Sequence, residues 1–287
     1  MEGRRLLACF TVAALAACGG GGTTNGGSIL NPRPEGAPDV VLLSVSGHDG
    51  AISGLFCTSD TNRSYLGDPG EAVDAVVAAI EDLGLTVEVA HFADRLSAPD
   101  LDLDGQPDNL EQFGFSELLA TMQEIHDAWI DGIDDPTRLV IVAHSHGATW
   151  AHVATSVMSH VPVSCLITLD GICFAWECEH ADEVADWVTL NALQFPWDVA
   201  HPCDAWPIAG LSAPYNTKDV AFDNVAVNLE VQSSDLFVSD CCDNLRLDGS
   251  SEGVRTLISA EDHNEVRLAP SAAMTWVGDM IRLHGIP

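Results

Sequence analysis

Ser145 stands in a sequence setting that is typical of a catalytic nucleophile. It lies in Ala143-His144-Ser145-His146-Gly147, directly after the apolar run Leu139-Val140-Ile141-Val142. This is the pattern small-x-Ser-x-Gly, in which small residues allow a sharp, strained turn between a strand and a helix. A serine hydroxyl is a weak nucleophile at neutral pH and needs a base that is itself oriented by an acid. The pattern therefore predicts nucleophilic catalysis by Ser145 if such partners lie nearby.

The best candidate for the base is His263, in Ala260-Glu261-Asp262-His263-Asn264. It follows the last predicted strand and precedes the final predicted helix, which is where a nucleophile on this kind of turn finds its histidine. A lone loop histidine can also be a simple solvated residue. The other histidines considered end an early strand, lie in an irregular stretch or lie near the C-terminus: His91, His180, His201 and His284.

Two aspartates could orient that histidine. Asp170 ends the predicted strand that follows the Ser145 helix, so parallel-sheet topology places it at the same rim as Ser145. Asp235 follows the next predicted strand. Either could instead be an ordinary turn aspartate, and the residues alone leave both open.

The Ser145 pentapeptide, Leu169-Asp170-Gly171 and Asp262-His263 together resemble a secreted α/β-hydrolase of the lipase/esterase type, over about residues 40–285. The resemblance implies a Ser-acid-His triad in that chain order and an acyl-enzyme formed from a carboxylic ester. The turn that carries the nucleophile in such enzymes is called the nucleophile elbow, and here it is the turn at Ser145. Pancreatic-type lipases carry the acid in a Leu-Asp-Pro sequence at the end of the strand that follows the elbow, which favours Asp170. Gly171 replaces that proline, so Asp235 stays a possible acid.

An acyl transfer of this type also needs donors for the oxyanion of its tetrahedral intermediate. The residue after the nucleophile supplies one backbone N–H, which is that of His146 here. The second is expected from the loop after the first strand, Gly47-His48-Asp49, and we assign it to the His48 backbone. The side chains of His144 and His146 are not expected to act as bases, because neighbours at the elbow point away from the hydroxyl.

A separate acidic loop has the spacing of a calcium site. It matches D-x-D-x-D-G-x5-E, whose alternating carboxylates converge on one hard cation. With Pro107 and no convincing entering helix, it resembles the extracellular calcium loops of thrombospondin type 3 repeats more than a paired EF-hand. We predict a structural calcium ion rather than a solvated acidic loop, with these ligands: Asp100, Asp102, Asp104, Gln106, Asp108 and Glu111.

The N-terminal segment has the features of an export signal. Residues 1–17 combine two arginines with a short apolar run, and Leu15-Ala16-Ala17-Cys18 resembles the lipobox of bacterial lipoproteins. We therefore predict lipidation of Cys18, a tether over 18–38, and a location in the bacterial cell envelope or outside the cell. An ordinary signal peptide with a chance cysteine is the alternative.

Cysteines and charge support export and exclude one class of partner. Seven cysteines follow Cys18, and in an exported chain they are expected to form disulfides, with at least one left over. The formal net charge of −32 and the single lysine, Lys218, argue against a nucleic-acid partner. No sequence feature indicates an organic cofactor, and the oligomeric state stays open.

Apolar runs and helical patterns alternate along residues 39–287, which predicts one domain with a mostly parallel sheet covered by helices on both faces. Strands are expected at 40–46, 86–90, 139–143, 165–169, 225–231 and 254–258, and helices at 71–83, 116–130, 146–160, 181–193 and 271–283. Residues 171–223 break this rhythm and are rich in tryptophan and cysteine. This excursion is either a lid over the site or ordinary packing at the sheet edge.

Two classes of function fit these features. The first is a surface-tethered serine hydrolase that acts on small-molecule or lipid esters. The second is a surface binding or adhesion protein that keeps the elbow for structure. A peptidase or amidase of the same fold is a variant of the first.

Overall fold

The computed structural model describes residues 31–48, 62–100, 109–173, 175–195, 198–205, 215–235 and 243–287. Six strands form one parallel sheet in the order β3-β2-β5-β6-β7-β8. A separate two-residue pair joins β1 to β4. The strands are β1 (Asn31–Pro32), β2 (Val40–Val45), β3 (Val87–Phe92), β4 (Ile133–Asp134), β5 (Arg138–His144), β6 (Val163–Leu169), β7 (Val225–Gln232) and β8 (Val254–Ile258).

Helices cover both faces of the sheet. They are α1 (Ala72–Glu81), α2 (Phe115–Ile125), α3 (His146–Val157), α4 (Trp176–Leu190) and α5 (Ala272–His284). A π-helical turn, His126–Ile130, continues α2. One apolar core contains residues of α2, α3 and α4, and the other contains residues of α1 and α5. The sheet is therefore the middle layer of three.

The two cores follow from the alternation of side chains along each strand. In β2, Val41, Leu43 and Val45 enter the core beneath α3, whereas Val40 and Leu42 enter the core beneath α1 and α5. All of these side chains are at most 3 % exposed. A strand buried on both faces needs apolar residues at every position, which explains the uninterrupted apolar runs in the sequence.

The chain reverses its direction across the sheet between β2 and β5. It first moves from β2 outward to β3, and then returns to place β5 on the other side of β2. The loops that leave β2 and β5 must therefore diverge, which opens a crevice at their carboxyl ends. The loop that contains Gly47 and the turn at Ser145 lie at this point.

The predicted fold class, an α/β fold with a mostly parallel sheet and helices on both faces, is confirmed. Some predicted boundaries are wrong. The helix expected at 116–130 begins at Phe115, and Glu117 Oε2 accepts the Gly114 N–H at 2.7 Å. The helix of the excursion begins at Trp176 rather than at residue 181.

The described part of the predicted tether, residues 31–38, contacts the domain. Asn31 N donates to Gly132 O at 2.8 Å, and Arg33 pairs with Asp39 at 2.6 Å. None of the helices in the described part of the chain is long and apolar enough to cross a membrane.

Within the excursion, the predicted disulfide chemistry is present. Cys173 is bonded to Cys203, and Cys178 is disulfide-bonded as well. Cys165, which lies in β6, is free and buried, and burial raises the pKa of its thiol to about 12. Cys57, Cys241 and Cys242 lie outside the described residues.

Candidate active site

The turn at Ser145 has the strained geometry that the small-x-Ser-x-Gly pattern predicts. Ser145 has φ 58° and ψ −130°, a backbone conformation that L-residues rarely adopt. A Cβ on Gly147 would collide with the Val45 carbonyl, and one on Gly47 would lie 2.5 Å from Ser145 Cβ. Glycine at both positions lets the loop after β2 pack directly against the turn.

The structure brings Ser145, His263 and Asp170 into one hydrogen-bonded line. His263 Nε2 lies 3.0 Å from Ser145 Oγ, and His263 Nδ1 lies 2.5 Å from Asp170 Oδ2. The three residues are 4 %, 7 % and 2 % exposed, respectively. They come from loops after β5, β8 and β6, whose carboxyl ends share one edge because the strands are parallel. This arrangement has the geometry of a nucleophile, a base and an orienting acid.

Asp170 is held in its ionised form from both sides. Burial favours the neutral acid, but hydrogen bonds from His263 and from the Ser233 backbone, the latter at 2.7 Å, prevail and lower the pKa of Asp170. The alternative acid, Asp235, donates its backbone N–H to Ser233 Oγ, whereas the carboxylate bonded to His263 belongs to Asp170. A Cβ at Gly171 would lie 2.7 Å from Ala148 Cβ, which explains why no proline follows Asp170.

The predicted oxyanion donors belong to segments that meet at the elbow. His146 is the first residue of α3, so its N–H has no partner within the helix. A Cβ on Gly47 would lie 3.1 Å from His146 N, which brings the loop that contains His48 against the same end of the helix. The positive end of the α3 dipole adds to the attraction of these groups for negative charge.

A chain of hydrogen bonds on the His144 side links the β2 loop to the His263 loop. Gly47 N donates to Tyr65 Oη at 3.0 Å, Tyr65 Oη lies 2.5 Å from His144 Nδ1, and His144 Nε2 lies 2.8 Å from the His263 carbonyl. A carbonyl only accepts, so Nε2 is the protonated nitrogen of His144 and Nδ1 accepts from Tyr65. Burial keeps this ring neutral by pushing the pKa of His144 well below its usual value.

On the other side of Ser145, the His146 ring lies among carboxylates. Asp94, which follows β3, is fully buried, and its Oδ2 lies 2.9 Å from His146 Nδ1. Its Oδ1 accepts from Trp150 Nε1 at 2.8 Å and from His180 Nε2 at 2.9 Å. Burial raises the pKa of Asp94, but His180 and His146 outweigh it and hold that pKa well below the usual range.

Glu179 and His48 complete this group. Glu179 Oε2 lies 3.3 Å from His48 Nδ1 and 3.7 Å from His146 Nδ1, and the Glu179 side chain is 4 % exposed. Glu179 raises the pKa of His48, although burial opposes this effect. The sequence interpretation missed Asp94 and Glu179, because they are distant from the Ser145 turn in sequence and match no motif, and it considered His180 only as a weaker candidate for the base. A carboxylate directly after a strand, like Asp94, was the one available signal.

The remaining predicted sites have no complete geometry among the described residues. Of the calcium ligands, Asp100 and Glu111 are described, and Glu111 O accepts from Ser64 N at 2.8 Å. Outside the described residues lie Asp102, Asp104, Gln106, Asp108 and the lipidation site, Cys18. Of the excursion's tryptophans, Trp176 packs against Trp150 with ring centroids 4.6 Å apart, and Trp187 contacts Phe115. Both of these therefore belong to ordinary packing, and the lid stays a prediction.

Comparisons with known proteins give low similarities. No protein-family model matches the chain, and no curated protein matches it. Among solved structures, Est1E from Butyrivibrio proteoclasticus with bound ferulic acid is similar at 12 % identity and TM-score 0.39, over 88 % of this chain and 90 % of that one.

A structure from work on two fungal esterases of Rhizomucor miehei is similar at 12 % identity and TM-score 0.43. The match covers 88 % of this chain and 76 % of that one. A structure from work on the metagenome-derived lipolytic enzymes LipS and LipT is similar at 12 % identity and TM-score 0.38. The match covers 88 % of this chain and 100 % of that one. These values do not place the chain in a family.

Proposed function

We propose that this protein is a serine hydrolase that cleaves carboxylic esters through a covalent acyl-enzyme. The observation that carries the proposal is the line from Ser145 Oγ to His263 Nε2 and from His263 Nδ1 to Asp170 Oδ2, at 3.0 and 2.5 Å. A buried serine on a strained turn, facing a histidine that a carboxylate orients, is costly to maintain without a use. The resemblance to lipases and esterases in the sequence agrees with this reading.

The reaction follows from the placement of these groups. Ser145 Oγ attacks the ester carbonyl while His263 Nε2 takes the hydroxyl proton, and Asp170 stabilises the resulting imidazolium. The oxyanion is bound by the backbone N–H groups of His146 and His48. His263 then protonates the leaving alkoxide, the alcohol departs, and water activated by His263 releases the acid and regenerates Ser145.

A fluorophosphonate probe tests the nucleophile directly. Wild type should be labelled at Ser145 and Ser145→Ala should not, because only a serine activated by a base attacks phosphorus at a useful rate. Ser159→Ala, which changes an exposed serine just after α3, is the matched control and should be labelled like wild type. Folded wild-type protein that resists labelling would contradict the proposal.

A chain-length series of nitrophenyl esters and the matching anilides then separates the candidate functions. Ester turnover that disappears in Ser145→Ala supports the esterase. Faster turnover of anilides supports the peptidase or amidase of the same fold. Binding of esters without turnover by either variant supports the binding or adhesion protein.

Two further features belong to this proposal. We infer a structural calcium ion at 100–111, because five carboxylates and one carbonyl oxygen match the hard-oxygen ligands that calcium prefers. Calcium should raise the melting temperature of chelator-treated wild type but not of Glu111→Gln, and an unchanged wild-type value would contradict the site.

We also infer lipidation of Cys18. Mass spectrometry of the membrane fraction should find a diacylglyceryl-modified Cys18, and an unmodified N-terminus there would contradict it.

A further inference from the structure

We propose that His48, Asp94, His146 and Glu179 bind one divalent transition-metal ion of the zinc class. These four residues, called here the flanking cluster, lie beside the elbow and are separate from the serine, base and acid. The ion would act as a structural clip that joins the loop after β2, the loop after β3, the start of α3 and the start of α4. Neither its binding nor its main test depends on the ester hydrolase proposed above.

The spacing of the ligand atoms fits a small tetrahedral ion. One nitrogen or oxygen from each residue lies within 4.8 Å of the others. Zn–N and Zn–O bonds of about 2.0–2.2 Å in a tetrahedron place neighbouring ligand atoms about 3.4 Å apart. The observed separations are 2.9 Å between His146 and Asp94, 3.3 Å between His48 and Glu179, and 3.7 Å between His146 and Glu179.

Two ligand atoms of the cluster are buried and lack a hydrogen bond to any described residue. Glu179 Oε2 and His48 Nδ1 have almost no solvent contact and find no hydrogen-bond partner within the described residues, although they face each other across 3.3 Å. A buried carboxylate oxygen without a donor is strongly unfavourable. Asp94 and Glu179 also place two buried carboxylates in one cluster, and a divalent cation would neutralise their charge.

A second layer of hydrogen bonds orients the ligand atoms. Trp150 Nε1 and His180 Nε2 donate to Oδ1 of Asp94. Oδ2, which also accepts from Asn62 Nδ2 at 3.2 Å, lies 2.9 Å from His146 Nδ1 and is the oxygen that faces the cluster. Metal ligands in proteins are commonly held in this way by outer donors. On binding, the ion replaces any proton on the ligating ring nitrogens, which is released to water.

The ligand types select the class of ion. Two imidazoles and two carboxylates suit zinc and its neighbours, whereas calcium prefers six to eight oxygens. Four protein ligands fill a tetrahedral shell, which is the mark of a structural rather than a catalytic ion. The His48 side chain is 25 % exposed, which gives the ion a route in from solvent.

Zinc titration of the full chain tests the site. Protein freed of transition metals with phenanthroline, which leaves calcium in place, should bind one zinc ion by calorimetry and native mass spectrometry, with a rise in melting temperature. His48→Ala and Glu179→Gln should each weaken zinc affinity at least about 100-fold, beyond the range seen for loss of an outer-layer donor. His201→Ala is the matched control, because His201 is an exposed histidine 3.1 Å from a carboxylate, and it should bind zinc like wild type.

Three results would overturn the proposal: wild type that binds no zinc, equal binding by the two ligand variants, or loss of binding in His201→Ala. X-ray absorption of zinc-loaded wild type does not depend on whether a variant folds. It should show two histidines and two oxygen ligands at about 2.0–2.2 Å, and sulfur in the shell would overturn the assignment. Fluorophosphonate labelling of the same samples shows separately whether the serine is active.

Discussion

His144 and His146 flank the same serine, yet one ring is held by neutral hydrogen-bond partners and the other by carboxylates. Both ring nitrogens of His144 are satisfied, by the Tyr65 hydroxyl and by the His263 carbonyl. The His146 ring faces Asp94 and Glu179, beside two buried polar atoms, Glu179 Oε2 and His48 Nδ1, that have no hydrogen bond within the part of the chain that the structure describes.

This difference separates two uses of a buried histidine. A fully satisfied neutral ring is part of the scaffold, because it ties the His263 loop to Tyr65 and to the β2 loop. A ring among charged and unsatisfied groups has the surroundings of a ligand. In the proposed reaction neither ring transfers the proton, because among the described residues it is His263 that lies within hydrogen-bond distance of Ser145 Oγ, with Asp170 on its other ring nitrogen.

Replacing Asp170 is expected to have the largest effect and tests whether catalysis depends on the ring that Asp170 contacts, which is His263. Asp170→Asn removes the charge that stabilises the His263 imidazolium, so kcat for esters should fall about 10⁴-fold. Asp235→Asn is the matched control and should keep wild-type kcat. If Asp170→Asn kept its activity while Asp235→Asn lost it, the acid would be misassigned; if neither lost it, neither aspartate would be the acid that orients the base.

Replacing His144 should destabilise the scaffold side. His144→Phe keeps a ring but leaves the Tyr65 O–H without its acceptor and the His263 carbonyl without its donor, so the free energy of unfolding should fall by about 2–4 kcal/mol. Urea denaturation measures this, with His160→Phe at an exposed site as the control, where the change should stay within about 0.5 kcal/mol. A His144→Phe protein as stable as wild type would remove the scaffold role.

Replacing Glu179 should show the opposite dependence on metal. At a zinc concentration 100 times the dissociation constant, zinc should stabilise wild type by about 2.7 kcal/mol and Glu179→Gln by almost nothing. Zinc should stabilise His144→Phe as much as wild type, because that variant leaves the flanking cluster intact. If zinc stabilised Glu179→Gln as much as wild type, Glu179 would not be a zinc ligand, and the surroundings of His146 would not differ from those of His144 by a metal site.

The pH dependence of stability should reveal the neutral ring. Burial lowers the pKa of His144 well below its usual value and that of His152 to about 3. Below about pH 6.5 the unfolded chain binds protons at these positions and the native chain does not. The free energy of unfolding therefore falls as pH falls, by up to about 1.4 kcal/mol per pH unit for each histidine.

His144→Gln should make the free energy of unfolding depend less steeply on pH between pH 6.5 and pH 5. The slope should decrease by the contribution of one histidine, up to about 1.4 kcal/mol per pH unit. His201→Gln is the control with the opposite sign, because Asp198 raises the pKa of His201, so that native His201 binds its proton more tightly than the unfolded chain. Its removal should leave the slope unchanged or steeper. A slope in His144→Gln equal to that of wild type would show that the pKa of His144 is not lowered in the native state.

Much of the site could be predicted from the sequence, because its parts are marked locally. The elbow requires small residues at fixed offsets from Ser145. Asp170 and His263 each follow a strand that shows as an apolar run. In a parallel sheet all such positions converge on one edge, so three short local signals predict one catalytic line.

The flanking cluster could not be predicted in this way. Asp94, His146 and Glu179 follow or begin different elements, and no two of them share a motif. These residues come together because α4 packs against Trp150 through Trp176 and because the Cys173–Cys203 disulfide constrains the excursion. Neither contact can be read from the spacing of residues along the chain.

The sequence by itself determined the alternation of elements and the parallel sheet, and it predicted Ser145 as the nucleophile, because periodicity and turn chemistry are properties of neighbouring residues. Only the tertiary structure decided which aspartate bonds to His263 and why the two flanking histidines differ. Those outcomes depend on long-range contacts: Asp170 and His263 are 93 positions apart in the chain, and His144 and His263 are 119 positions apart. Packing between distant segments sets the burial and the charge at these contacts, and no local sequence pattern encodes it.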